Sequence, residues 1–266
     1  MTDIDPNFAP GMLKDRVVFI TGGGTGIGRG IVEVLGRLGA KIFITSRRAE
    51  VIEAAVGELS DLGIEAACTV SDVRDPEAVE RAITECVEWF GGLDILINNA
   101  AGNFNCPTAE LSPNGWKTVI DIDLNGTFYC CRYAYPHLKE SRFGGRIVSI
   151  TTGRAQTGWP RAAHAGAAKA GILSLTRALA VEWAPDGILV NTVAPGPIAG
   201  TVGVDKLYIA EGREQEILSQ TALGRFGVPA DIGNAIAYLC SPGANYVTGT
   251  EIAVDGGRQW KFASTS

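Results

Sequence analysis

Short apolar runs alternate along this chain with longer segments in which apolar residues recur at helical spacing. This alternation is typical of a parallel sheet wound by helices on both faces, because a crossover helix must return each strand to the same edge of the sheet. The predicted strands are residues 16–20, 41–45, 65–70, 93–97, 146–151, 188–194 and 251–254. The predicted helices are residues 26–38, 49–62, 76–90, 113–140, 162–183 and 229–240.

Seven strands in this arrangement predict an α/β fold with a doubly wound parallel sheet of the Rossmann type. The 266 residues, of which 46% are hydrophobic, suffice for the core of one large domain, and we expect a single domain over residues 1–266. Residues 195–227 break the alternation with prolines and glycines followed by a polar, weakly periodic stretch. Because ligands bind beyond the carboxyl ends of the strands in such folds, we expect this insertion to be a substrate lid.

Composition and charge limit the partners that this chain is expected to bind. A net charge of −6 lacks the basic footprint of a nucleic-acid-binding protein. No window offers the roughly 18 apolar residues of a membrane span, and the acidic amino terminus is unlike a secretory signal. Six cysteines without metal-ligand spacing are expected to be reduced thiols, and two histidines predict no metal site. We therefore expect a cytoplasmic protein without nucleic-acid, membrane or metal partners.

A glycine-rich turn follows the first predicted strand and opens the first predicted helix. Glycines let the backbone approach a pyrophosphate, and the helix amino terminus supplies N–H donors to it. The gap between the first two glycines is longer than in the strict dinucleotide fingerprint, so the strand and helix on either side carry the prediction. An ordinary glycine-rich turn is the alternative. The predicted cofactor contacts are Gly22, Thr25, Gly26, Ile27 and Gly28.

The residues after the second predicted strand indicate which nicotinamide cofactor is bound. An NAD-selective site carries a carboxylate at this place for the ribose 2′-hydroxyl. This chain has Ser46, Arg47 and Arg48 instead, and a guanidinium matches the geometry of a 2′-phosphate. The alternative is two solvated arginines at the start of a helix. The sequence favours NADP as the cofactor.

Further motifs follow in a fixed order: Asp72-Val73, residues 98–102, Lys169, Asn191, residues 195–198 and residues 255–257. Together with the glycine-rich turn, they resemble the short-chain dehydrogenase/reductase family over nearly the whole chain. The resemblance implies a homotetramer and contacts to the adenine, the nicotinamide ribose and the nicotinamide amide. The implied contacts are Asp72, Val73, Asn99, Ala100, Ala101, Gly102, Lys169, Pro195, Gly196 and Ile198.

The proton-donating tyrosine of that family is missing from this chain. It stands four residues before the lysine in the usual members, where this chain has Ala165. A Tyr-x-x-x-Lys sequence does occur at Tyr135, but it precedes the strand that the family's pair follows, so we interpret it as structural. The usual serine is Thr152, and the usual active-site asparagine is Asp123.

These departures resemble peroxisomal-type 2,4-dienoyl-CoA reductases, on residues 101–107, 121–123, 164–166, 182–183, 195–198 and 246–249. Residues His164, Arg225 and 255–258 also resemble trans-2-enoyl-CoA reductases. Both groups use NADPH to reduce a carbon–carbon double bond conjugated to a thioester. Hydride addition there leaves an enolate that fixed donors stabilise, and protonation at carbon needs no tyrosine.

The expected function is NADPH-dependent reduction of a 2,4-dienoyl-CoA thioester, with acyl-CoA as the small-molecule substrate. The alternatives are a trans-2-enoyl-CoA reductase and a catalytically silent NADP-binding protein; a ketone reductase ranks last. Arginines and lysines at 154, 161, 206 and 213 are candidates for CoA phosphates, although each is more often a solvated charge. The candidate catalytic residues are Lys169, Asp123, Asn125, Thr152 and His164. For Asp123 and Thr152 a purely structural role is an equal alternative, and for His164 the alternative is a helix cap or a solvent-facing ring.

Overall fold

The computed structural model describes residues 8–204, 209 and 212–261. Its sheet has seven parallel strands in the order β3-β2-β1-β4-β5-β6-β7, which confirms the predicted doubly wound α/β fold. The order reverses next to β1, so a crevice opens between the loops that follow β1 and β4. The strands are β1 Val17–Thr21, β2 Lys41–Ser46, β3 Ala66–Val70, β4 Ile95–Asn98, β5 Arg146–Ile150, β6 Leu189–Pro195 and β7 Glu251–Val254.

The helices cover both faces of the sheet and enclose two apolar cores, one on each side. The predicted helix boundaries agree with the structure within a residue, with one exception described below. The helices are α1 Gly26–Arg37, α2 Ala49–Asp61, α3 Pro76–Phe90, α4 Pro113–Ile120, α5 Gly126–Lys139, α6 Arg154–Thr157, α7 Ala163–Glu182, α8 Val202–Val204, α9 Glu214–Ser219 and α10 Pro229–Cys240. Among the described helices, none has the length and apolar character needed to cross a membrane.

The predicted helical stretch over residues 113–140 contains a π turn that the sequence did not predict. A π-helical turn over Asp121–Asn125 separates α4 from α5, and the Gly126 N–H bonds the Asp121 carbonyl across it. A π turn inserts one extra residue into an otherwise continuous helix, so the apolar spacing on either side stays helical and does not reveal it. Such turns are frequent at functional sites.

The insertion at residues 195–227 begins where β6 ends. Ile198 pairs with Gly227 in an isolated parallel bridge, so the two ends of the insertion lie together. Between them the structure shows α8 and α9. Residues 205–208, 210 and 211, among them the phosphate candidate Lys206, lie outside the described residues.

Candidate active site

A cleft of about 710 Å³ lies beyond the carboxyl ends of β1, β4, β5 and β6. A separate groove of about 790 Å³ between α3, α5 and α7 contains none of the predicted cofactor or catalytic residues. The motifs therefore identify the smaller cavity as the candidate site. Of the predicted site residues, those that line it are Ile27, Asn99, Ala101, Asp123, Thr152, Lys169, Pro195, Gly196 and Ile198.

A buried ion pair lies at the centre of the site. The Lys169 Nζ is 3.3 Å from Asp123 Oδ2 and donates to the Ile150 carbonyl at 2.9 Å. The other carboxylate oxygen of Asp123 accepts from the Gly102 N–H at 2.7 Å. Asp123 is 1% exposed and Lys169 is 7% exposed, so both charges are removed from bulk water and are partnered there. The pair brings together α7, the π turn and the loop after β4.

Asp123 lies within the π turn that separates α4 from α5. Asp123 points into the cleft, whereas Asp121, two residues earlier, is ion-paired with the exposed Lys117 on the surface. Thr127 Oγ donates to the Asp123 carbonyl at 2.7 Å and so fixes the start of α5 against the turn. Side chains two residues apart lie on nearly opposite faces of a helix, so Asp123 reaches the site while Asp121 reaches the surface.

The position of the missing tyrosine is apolar. Ala165 is 1% exposed and lines the cleft, and it packs with Val119, Ala162 and Trp159. No described tyrosine lines the cleft, and Tyr208 lies outside the described residues.

The Tyr-x-x-x-Lys sequence in α5 lies outside the cleft and binds Asp186. The Tyr135 hydroxyl donates to Asp186 at 2.6 Å, and Lys139 lies 2.8 Å from the same carboxylate. Neither residue lines the cleft. The geometry therefore gives this pair the structural role that the sequence predicted.

The remaining catalytic candidates differ in where their side chains lie. Thr152 lines the cleft, and among the described residues its Oγ accepts only the Arg154 N–H, at 3.4 Å, so its hydroxyl proton can be donated. Asn125 does not line the cleft, because its amide donates to Asp121 Oδ1 at 2.9 Å. The structure therefore places Thr152 in the lining of the same cleft as the Asp123–Lys169 pair, whereas Asn125 lies outside that lining.

His164 is fully buried behind the cleft wall. Its Nδ1 accepts the Ala165 N–H at 2.7 Å, its Nε2 has no partner among the described residues, and its ring meets Phe104 edge-on at 4.5 Å. Burial lowers the pKa of His164, which favours the neutral ring. His164 connects α7 to the loop after β4 and is not among the cleft-lining residues.

The glycine-rich turn has the close backbone approach that a bound pyrophosphate requires. Gly22 has φ of +72°, and a Cβ on Gly28 would lie 2.2 Å from the Gly22 carbonyl oxygen. The first turn of α1 carries no acidic residue, so its free N–H groups face no competing charge. These residues fit a dinucleotide.

Asn99 braces this turn, a role that the sequence did not indicate. Its Nδ2 donates to the carbonyls of Thr21 and Gly22 at 3.0 and 2.9 Å. In return, Thr21 Oγ accepts the N–H groups of Asn99 and Ala100 at 3.1 and 2.9 Å. The ends of β1 and β4 thus form one hydrogen-bonded unit.

Charged groups after β2 and β3 surround the expected adenosine position. Arg47 and Arg48 are exposed at the start of α2. The Arg74 Nε lies 3.0 Å from both carboxylate oxygens of Asp72. This hydrogen bond lowers the pKa of Asp72, and the charge of Arg47 adds to the shift. Arg74 was not predicted from the sequence. Val73 is buried against Gly126 at the start of α5.

Comparisons with known proteins agree with this architecture. A family model described as enoyl-(acyl carrier protein) reductase matches residues 22–259. A Bacillus subtilis protein named "Probable 2,4-dienoyl-CoA reductase", with (2E)-enoyl-CoA as its stated product, is 42% identical over 93% of this chain and 98% of its own length. A Danio rerio protein named peroxisomal 2,4-dienoyl-CoA reductase, with (3E)-enoyl-CoA as its stated product, is 43% identical over 94% of this chain and 83% of its own.

Solved structures show the same fold along the whole chain. A short chain dehydrogenase from Bacillus anthracis is 39% identical and has a TM-score of 0.83, over 96% of this chain and 100% of the other. The citronellol catabolism dehydrogenase of Pseudomonas aeruginosa PAO1 is 34% identical with a TM-score of 0.84, over 96% and 99%. The chain therefore belongs to the short-chain dehydrogenase/reductase family, an oxidoreductase family whose members use a nicotinamide cofactor.

Proposed function

We propose that this protein uses NADPH to reduce a conjugated double bond in a 2,4-dienoyl-CoA thioester. The observation that carries the proposal is the buried Asp123–Lys169 pair beside an alanine at position 165, in a cleft where no described tyrosine provides an acid. Carbonyl reduction needs a proton at oxygen, whereas reduction of an activated olefin needs stabilised negative charge and a proton at carbon. The names of the relatives support the same reaction.

The cofactor supplies hydride from its reduced nicotinamide when it is bound. The turn at Gly22 and Gly28, the free amino terminus of α1 and the exposed Arg47 are the residues that would hold it. Arg47 carries the proposal of NADP over NAD, because a guanidinium can pair with the 2′-phosphate where an NAD-selective site has a carboxylate. Ile198 and Gly196 line the cleft where the nicotinamide would lie.

The chain's own residues would act on the substrate as charge stabilisers. The Lys169 ammonium provides a positive potential for the dienolate, and Asp123 holds Lys169 in position through the 3.3 Å contact. The Thr152 hydroxyl is the neutral donor at the same wall. A proton delivered to C4 of the dienolate gives the 2-enoyl product, whereas a proton delivered to C2 gives the 3-enoyl product. The relatives are named for both products.

The test is NADPH consumption with 2,4-hexadienoyl-CoA, crotonyl-CoA and acetoacetyl-CoA in parallel. We expect turnover of the first. Fast reduction of acetoacetyl-CoA would contradict the reasoning about Ala165, and no turnover of any substrate would favour a silent NADP-binding protein. Turnover of crotonyl-CoA alone would support a trans-2-enoyl-CoA reductase, the candidate that the description of the matching family model favours.

We also propose a homotetramer and a cytoplasmic location. The outer faces of α4 and α5 expose Trp116 by 42% and Phe128 by 44%, which a second copy would cover. The six cysteines are free, which suits a reducing compartment. Light scattering of the purified protein and fractionation of cells test these two statements.

A further inference from the structure

The cleft carries more positive charge than its central ion pair accounts for. Among the described residues that line it, Arg154, Arg258 and Lys261 are cationic in addition to Lys169, although the whole chain has a net charge of −6. The two carboxylates in the lining are Asp123, which faces Lys169, and Asp255. Local charge of this sign attracts an anionic ligand.

Both carboxylate oxygens of Asp255 accept hydrogen bonds from backbone N–H groups of the residues that follow it. One carboxylate oxygen accepts the Gly257 N–H at 2.9 Å, and the other accepts the Gln259 N–H at 2.9 Å. This carboxylate therefore shapes the turn that carries Arg258. Glu216 lies outside the lining of the cleft and is bound to Arg213 at 2.8 Å, which lowers the pKa of Glu216, and the charge of Arg258 adds to that shift.

Two segments, residues 255–261 and 220–223, form a carboxyl-terminal clasp that fixes two of these cations. The Leu223 N–H donates to the Gly256 carbonyl at 3.1 Å, Arg258 donates to the Gln220 side-chain oxygen at 2.9 Å, and Lys261 donates to the Thr221 carbonyl at 3.3 Å.

The clasp depends on a close approach of the two backbones. Gly256 and Gly257 have φ of +63° and +77°, and Cβ atoms there would lie 2.8 Å from Thr221 Cγ2 and 2.9 Å from Ala222 Cβ. Only glycine meets both conditions at these two positions. The fold itself therefore presents Arg258 and Lys261 to the cleft.

We propose that Arg154, Arg258 and Lys261 form an anion-binding subsite for the substrate, an inference that rests on the proposed function. Guanidinium and ammonium groups pair with phosphate or carboxylate oxygens. Such an anion has two sources in an acyl-CoA: the phosphates of the carrier, or a carboxylate at the far end of the acyl chain. Both have the same chemistry at these three residues.

The test compares the double variant R258Q/K261Q with wild type on three thioesters in the presence of NADP⁺. These are 2,4-hexadienoyl-CoA, hexa-2,4-dienedioyl-CoA, whose acyl chain ends in a carboxylate, and the N-acetylcysteamine thioester of hexadienoate, which has no anion. In R258Q/K261Q we expect the Kd of at least one of the two CoA thioesters, measured by calorimetry, to rise about tenfold or more. The Kd of the neutral N-acetylcysteamine thioester should change less than about twofold. Weakening of both CoA thioesters identifies the carrier phosphates, and weakening of the dienedioyl thioester alone identifies the acyl terminus.

The matched control is K14Q/R81Q, which removes the same charge from residues outside the cleft lining. Equal changes for the neutral and anionic thioesters would overturn the subsite. If R258Q/K261Q does not fold, R154Q on the exposed face of α6 makes the same comparison. A wild-type protein that binds CoA thioesters without reducing them would refute the proposed function and leave the subsite standing; one that binds none would overturn the subsite as well.

Discussion

Replacing Asp123 by asparagine tests the buried ion pair directly. The new side chain keeps the shape and an oxygen for the Gly102 N–H, but it removes the negative charge beside Lys169. Removing one partner of a buried pair leaves an uncompensated charge and typically costs about 3–5 kcal/mol. Because the Gly102 contact is retained, we expect the lower end, about 3 kcal/mol in the free energy of unfolding, measured by urea denaturation without ligands.

The same change should reduce the rate of the reaction. With Lys169 no longer held by a carboxylate, the charge that stabilises the dienolate is misplaced, and we expect kcat to fall about a hundredfold or more. Asp121→Asn is the matched control, since it removes a carboxylate of the same π turn whose partner Lys117 is 73% exposed. That surface pair is worth below about 1 kcal/mol. If D123N and D121N have the same free energy of unfolding and the same kcat, the Asp123–Lys169 pair does not have the stabilising and catalytic role stated above.

Three further predictions follow from the cofactor site, the buried histidine and the outer helix face. Arg47→Asp should raise the KM for NADPH about tenfold or more and change the KM for NADH much less, and equal losses would contradict the NADP assignment. The pKa of His164 is lowered in the folded protein, so the unfolded chain binds the extra proton and stability falls as pH drops through about 6.5. H164Q should lose this part of the pH dependence of Tm. An unchanged slope of Tm against pH in H164Q would contradict this role of His164. Phe128→Asp should reduce the mass measured by light scattering, whereas an unchanged mass would place the subunit contact elsewhere.

The alternation of apolar runs was sufficient for the fold, because strand and helix spacing depend on residues close together in the chain. The order of the strands in the sheet was not predicted, and of the expected cofactor contacts Ile27, Asn99 and Ile198 line the cleft. Sequence spacing did not predict the π turn, since an extra residue in one turn leaves the helical pattern on both sides intact. Asn125 donates to Asp121 and lies apart from the pair that Asp123 makes.

One local contact and one contact between distant segments were also not predicted from the sequence. Arg74 was not among the predicted residues, although a bidentate contact to Asp72 two residues away is a local feature of that loop. The clasp between residues 220–223 and 255–261 depends on backbone approach across many intervening residues, which no local pattern records. His164 stood next to the missing tyrosine in the sequence, but helix geometry turns adjacent side chains to different faces.

The brace made by Asn99 has a kinetic consequence. Its side chain donates to the Thr21 and Gly22 carbonyls of the glycine-rich turn, and Ala101 and Asn103 of the same loop line the cleft. Because these hydrogen bonds join the two loops, we expect a nucleotide bound at the turn to order the loop that lines the cleft. For such a unit we expect compulsory order in the approach to the enzyme, with the nucleotide entering before the thioester and leaving after the product.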